Sequence, residues 1–431
     1  MKRLFPSQVC LLIKRFIPTF LTAFLLPTSF AAESFSNPVM DSGADPAVIY
    51  HQGTYYAYTT NSKRIVYRSN DLVNWEEGPV ILPESLKGAW APEVYHHPED
   101  GKFYLYYTNR YKIGVAVADK PDGMFEDLGF LVIPGIDAHV FRDDDKRLYL
   151  YFTNTPDFTM YCVPMKSPIE TAGPVTKCFE ISQDWERHDF QINEGPWMHK
   201  LNGTYYLFYS GSNGQTVFYS VGYATAPSPL GPFTKNPDNP VIPHSENIWG
   251  PGHGSFIMDR AGEWWHLYHQ KTGQEKGWKR FMCLDPLVID FNTGDIHSVP
   301  TKGTRQPAPV TDPDIVWVPE ISPRGAYFYQ TQEVSFSCRT PGATIRYTLD
   351  GREPGAESAL YQQPFHIDRN TTVKARAFKE GMQTSAISEM RFTRTNWQAP
   401  ETPYTEFPSG NPPFRVYPSP NPVAPPKAPK P

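Results

Sequence analysis

The chain has 431 residues, 40% of them hydrophobic and 14% aromatic, enough for a large core and more than one small module needs. Its 45 Asp and Glu against 40 Lys and Arg give a net charge of −5 without a clustered basic field, which argues against a phosphate-backbone binder, so no nucleic acid is expected as partner. With 45 prolines, roughly twice the usual ~5% share, long helices are disfavoured and an all-β chain of short strands and turns is expected.

Residues 1–31 read as an export signal. Lys2, Arg3, Lys14 and Arg15 form a basic region, Phe16 to Leu26 an apolar stretch, and Ser29, Phe30 and Ala31 a small-x-small cleavage site. The apolar stretch is eleven residues long and contains Pro18, short of the ~20 that a spanning helix needs. The mature chain is therefore expected in the periplasm or outside the cell, without a membrane span and with a net charge of −9.

From residue 32 to residue 318 an aromatic-rich strand recurs five times, at Gly53–Thr59, Gly101–Tyr107, Lys146–Phe152, Gly203–Tyr209 and Gly262–Tyr268, with starts 48, 45, 57 and 59 residues apart. Each follows a turn rich in Gly, Asp or Asn. A period near fifty residues is room for four short strands, the size of one propeller blade, and five blades close into a ring without exposed sheet edges. A five-bladed β-propeller is expected, with a β-sandwich as the competing fold. Cys162 and Cys178, sixteen residues apart around a turn, suit either one hairpin disulfide or two core thiols. No Cys or His spacing suits zinc.

Ten or eleven residues before the first bulky apolar residue of each repeat stand Asp45, Glu93, Asp137, Glu194 and His253. Equivalent positions of propeller blades converge on the axis, so four acids and a histidine are expected at one funnel, with Glu93 in a structural role under its strand. Trp90 reads either as an exposed indole able to stack on a bound ligand or as a core side chain that fills volume. Asp143, Asp144 and Asp145 read as a solvated turn.

The ordered acids, with Trp90-Ala-Pro-Glu93 and Gly250-Pro-Gly-His253 between and after them, closely resemble glycoside hydrolase family 43 over roughly Asn37 to Val299. These are five-bladed propeller enzymes acting on arabinose- and xylose-containing plant polysaccharides. The resemblance implies an inverting glycosidase of the α-L-arabinofuranosidase or β-xylosidase type, with Asp45 as base, Glu194 as acid and Asp137 raising the acid's pKa. An inverting pair should stand ~6.5–9.5 Å apart, leaving room for a water. It also implies that His253 helps hold a hydrated structural calcium ion and that Arg280 reaches the bound sugar; no organic cofactor is expected. Two alternatives stay open: a sugar-binding propeller without catalysis, and a galactan-active member of the family. Oligomeric state is not legible in the sequence.

Residues 319–395 change to short alternating strands and read as a small immunoglobulin- or fibronectin-like β-sandwich. The run Pro341 to Gly351, with Tyr361 and Gly381 after it, resembles the C-terminal domain of chitobiases, implying attachment or stabilisation rather than chitin chemistry. Residues 396–431 hold 12 prolines in 36 positions without an apolar period and are expected to be an extended, disordered tail.

Overall fold

The computed structural model describes residues 33–290 and 295–396 and the backbone of 415–421. The export signal at 1–31 and most of the proline-rich tail lie outside the described residues. Within them the chain is all-β, broken only by two short 3-10 turns, Glu84–Leu86 and Asp184–Glu186. No helix among the described residues is long and apolar enough to cross a membrane.

Five antiparallel sheets follow one another as blades. Their inner strands are Ala44–His51, Trp90–His96, Ile136–Arg142, Asn193–Leu201 and Gly252–Met258. Each inner strand packs on the next, and the fifth returns to the first, so the ring is closed. The N-terminal segment completes the seam: Val39 N–H donates to Met282 O at 3.0 Å, Met282 N–H to Met40 O at 3.0 Å, and Asn37 Nδ2 to Leu284 O at 2.9 Å.

The aromatic repeat builds the inter-blade core. Apolar side chains of neighbouring blades mesh in separate clusters, one for each adjacent pair. At the sixth position of the repeat, fully buried tyrosines carry a hydroxyl that must find a partner. Tyr58, Tyr106 and Tyr151 donate to the carbonyls of Pro121, Pro168 and Pro229, each in the following blade, at 2.7, 2.5 and 2.5 Å. Phe208 and Leu267 hold that position in the last two blades and fill volume only. The cysteines resolve as two core thiols: Cys162 and Cys178 are both buried and unbridged, hydrogen-bonded to each other, with the Cys178 thiol pushed well up by burial.

Beyond the propeller a three-stranded and a five-stranded sheet enclose a second core. Val316 already belongs to it, so the sandwich begins a little before residue 319. Buried Trp317 joins the domains, its ring 4.8 Å from Tyr50 and 5.1 Å from the Arg260 guanidinium. A Cβ on Gly325 would lie 2.3 Å from the Cα of Asn202, a contact only glycine permits. Of the aspartate turn only Asp145 is exposed as the sequence suggested. Asp143 is buried, accepts from Tyr205 Oη at 2.5 Å and pairs with Lys200 at 3.0 Å, while Asp144 pairs with Lys200 at 2.8 Å and Arg324 at 3.4 Å. These contacts lie at the ends of the inner strands, so the sandwich docks on the face opposite the strand starts. In the tail, Arg415–Asn421 runs antiparallel to Glu126–Ile133 at the outer rim of blade two, where the missing amides of Pro418 and Pro420 cost least.

Candidate active site

Every inner strand breaks register near its start: the ladder shifts between Ala44 and Ala47, Trp90 and Glu93, Ile136 and His139, Glu194 and Trp197, and Gly252 and Ser255. At each break one residue takes a left-handed backbone: Asp45 (φ 52°), Ala91 (46°), Asp137 (57°), Gly195 (59°) and His253 (41°). A β-bulge re-aims side chains and frees an amide. Here neighbouring blades hold the freed amides. Asp45 N–H donates to His269 Nδ1 at 3.2 Å, Ala91 N–H to Thr60 Oγ1 at 2.8 Å, Asp137 N–H to Thr108 Oγ1 at 3.0 Å and His253 N–H to Ser210 Oγ at 2.9 Å. In blade four the donor is Gly195 N–H and the acceptor is the carboxylate of Asp137, at 3.3 Å. That bond fixes Asp137 to the backbone beside Glu194.

The bulges open into a cleft of about 960 Å³ lined by Asp45, Trp90, Asp137, Glu194, His253 and Arg280 among others. Its three acids have different surroundings. Burial pushes the carboxyl of Asp45 up, but the Arg280 guanidinium, foremost among its neighbours, outweighs it and holds this acid well below the usual carboxylate range. Arg280 Nη1 donates to Oδ1 at 2.8 Å and Thr60 Oγ1 to Oδ2 at 2.7 Å. His269, kept neutral by burial and by Arg280 with its pKa pushed down to about 3, accepts the Asp45 amide on Nδ1, so its proton sits on Nε2.

Asp137 and Glu194 move the other way. Burial, then the charges of Glu194 and Asp45, push Asp137 well above its ordinary value. Burial lifts Glu194 to about 7, opposed by the hydroxyl of Tyr219, which donates to Oε1 at 2.7 Å, and aided by the charge of Asp45. The pair thus keeps a proton towards neutrality while Asp45 is ionised. One carboxylate and one carboxylic acid open to the same cleft are what acid–base cleavage of a glycosidic bond requires.

His253 lies beside the acids, its Nδ1 3.4 Å from Asp45 Oδ1 and 3.6 Å from Asp137 Oδ2. One donor atom each from Asp137, Glu194 and His253 fall within 4.8 Å of one another, a set able to seat a cation. A cation bound to both carboxylates would strip the proton that the raised pair retains. Asp137 and Glu194 offer the oxygen atoms that calcium prefers, and His253 offers one nitrogen.

A profile of glycosyl hydrolases family 43 matches residues 35–292, more than half of the chain. The chain belongs to that family. It is a glycoside hydrolase, and residues 323–389 match the chitobiase/beta-hexosaminidase C-terminal domain. A beta-D-galactofuranosidase of Aspergillus niger is 29% identical, aligned over 64% of this chain and 88% of its own. A xylosidase/arabinosidase of Humicola insolens is 30% identical over 54% of this chain and 89% of its own. The crystal structure of a thermostable family-43 glycoside hydrolase superposes with a TM-score of 0.58 at 31% identity, covering 64% of this chain and 99% of that one.

Within this family-43 propeller the sequence reading needs one correction of phase. Glu93 is not the blade-two counterpart of Asp45; Ala91 is. Glu93 lies two residues past its bulge and bonds His139 Nδ1 at 2.8 Å, the supporting role expected of it. Glu194 stands one residue before its bulge, level with Trp90. A fixed offset from the next strand misaligns the blades because the intervening turns run from two residues, Gln52 and Gly53, to six, 97–102. Trp90 lines the cleft edge-on to Tyr111, ring centroids 5.8 Å apart. Arg280 also lines it, but its Nη1 is committed to Asp45 and its buried Nε has no protein partner. The sequence reading missed Thr60, Tyr219 and His269. Only the repeat's alignment across blades, with Thr60, Thr108, Thr153, Ser210 and His269 at one level, would have exposed two of them.

Proposed function

We propose that the protein is an exported, inverting family-43 glycosidase that cleaves α-L-arabinofuranosyl or β-D-xylosyl linkages of plant polysaccharides, with Asp45 as base, Glu194 as acid and Asp137 as the group that orients the acid and keeps it protonated. The observation that carries this reading is the opposite bias of two acids on one cleft: Arg280 holds Asp45 ionised while partial burial lifts Glu194 to about 7. In the reaction Asp45 takes a proton from water as it attacks the anomeric carbon, and Glu194 gives its proton to the departing glycosidic oxygen. Asp137, held by Gly195 N–H, then sits beside a newly ionised Glu194 and favours its reprotonation.

Export is supported by the basic-apolar-small pattern of residues 1–31. The pentose assignment is supported by the Humicola relative's name. The Aspergillus relative's name favours a second reading, a galactofuranose glycone on the same machinery. A calcium ion held through His253 and water would supply fixed positive charge beneath the acids. It would show as a Tm lowered by a few degrees on chelation, an effect lost in His253→Ala; an unchanged Tm would remove the ion.

Proton NMR of arabinan, arabinoxylan oligosaccharides and a β-D-galactofuranoside with the mature protein, beside a Glu194→Gln control, tests the whole assignment. A single inverted pentose, absent in the control, is the expected result. Released galactofuranose would favour the second reading. Binding without release from any of them would move the protein to the sugar-binding class.

A further inference from the structure

The cleft has a second aromatic wall, on the side of Glu194. Trp278 lines it and is 59% exposed, a large apolar surface left to solvent at the site itself. The guanidinium of Arg280 lies 5.1 Å from its ring centroid. Near the indole is Gly214, where an added Cβ would stand 3.5 Å from Trp278 Cζ3 and 3.5 Å from Glu194 Oε1. A bare backbone at 214 therefore keeps space open between the indole and the acid.

The loop carrying Trp278 is tied down. Gly277 N–H donates to Gln215 O at 3.0 Å, and Lys271 Nζ to Gly277 O at 2.7 Å. Lys276 Nζ reaches Asp189 Oδ2 at 2.8 Å, and Asn213 Nδ2 reaches the same oxygen at 2.6 Å. Contacts from blade four and from the segment leading into it thus hold the exposed indole of blade five in one place, which packing alone does not require.

We propose that Trp278 is the platform for the sugar on the leaving side of the scissile bond, and that this sugar is a pyranose. The inference rests on Glu194 being the acid. Its proton goes to the glycosidic oxygen, so the ring that keeps this oxygen lies on the Glu194 side, where Trp278 and the space above Gly214 are. A pyranose chair with equatorial hydroxyls lays a continuous face of axial C–H groups on an indole, whereas a puckered furanose covers less of it. The leaving group is then a xylopyranosyl residue of a xylan chain or xylo-oligosaccharide, not an arabinofuranosyl chain.

The test compares kcat/KM of wild type, Trp278→Ala and Trp278→Phe on three substrates sharing an arabinofuranosyl glycone. These are an arabinofuranosyl-substituted xylotriose, α-1,5-arabinotriose, and arabinofuranosyl fluoride, whose leaving atom reaches no platform. In Trp278→Ala the loss on the substituted xylotriose should exceed the loss on the fluoride by about tenfold or more, with Trp278→Phe recovering most of it and arabinotriose affected little. Equal losses on all three would overturn the platform, and a larger loss on arabinotriose would overturn the pyranose. Should wild type hydrolyse none of them, the arabinofuranosyl glycone fails by itself, and calorimetric binding of xylotriose decides the platform: weakened by Trp278→Ala it stands, unchanged it falls.

Discussion

The two ends of the inner strands solve opposite problems. At the cleft end each strand is bulged, and three carboxyls and two imidazoles crowd together with one guanidinium among them. At the far end the strands pass through ordinary turns, and buried charge is matched: Lys200 meets Asp143 and Asp144, and Tyr205 gives Asp143 its remaining bond. The comparison teaches that the ring is held by satisfied contacts at one face and carries its unmatched charge at the other, where reactivity needs it.

Breaking the cleft end should cost activity far more than stability. Glu194→Gln is expected to lower kcat on oligosaccharides by about 10²–10⁴-fold and to spare a glycosyl fluoride, whose departure needs no proton. Steady-state rates on both substrates check this. Breaking the far end should do the reverse: Lys200→Ala, which leaves buried Asp143 without its cationic partner, is expected to cost about 2–4 kcal/mol in denaturant unfolding with kcat/KM of the folded enzyme kept.

Acidity sharpens the contrast further. Activity should fall as pH rises through about 7, where Glu194 loses its proton, and should persist well into the acid range because Asp45 stays ionised. The sign for stability follows from the raised carboxyls. Their folded pKa lies above the unfolded one, so their contribution is fully present below the unfolded value and is lost as pH rises towards about 7. Glu194→Gln should then be more stable than wild type at pH 8, by on the order of 1–3 kcal/mol in thermal or denaturant unfolding. The smallest expected effects separate strain from packing. Ala91→Gly, relieving a left-handed alanine, should gain up to about 1 kcal/mol, and Tyr151→Phe, removing the bond to Pro229, should lose about 1 kcal/mol. Equal and opposite shifts would support the division; a destabilising Ala91→Gly would contradict the strain at the bulge.

Much of this was legible before the structure. The aromatic repeat announces blades because a side chain shared between two sheets must be large and apolar, and the tyrosines at its sixth position need only a carbonyl from the next blade. Asp45, Asp137 and Glu194 stood out because surface acids have no reason to keep phase with a buried repeat. Two aspartates of the third turn misled, because Asp143 and Asp144 look solvated until Lys200 and Arg324 arrive from other parts of the chain. Trp278 gave no signal at all, since it lies in a loop whose anchors include the carbonyl of Gln215 and the carboxylate of Asp189, distant in the chain.

By itself, then, the sequence determined the number of blades, the residues of the inter-blade core and the carboxyls available for chemistry, since these depend on composition and period. Tertiary structure decided which residue of each inner strand turns to the axis and which carboxyl carries the proton. A bulge changes facing without changing composition, and turns of two to six residues hide the phase. The ionisation of Asp45 is set by Arg280, 235 residues away in the chain and 2.8 Å away in space. Charge acts over distance in the fold, and no one-dimensional pattern measures that distance.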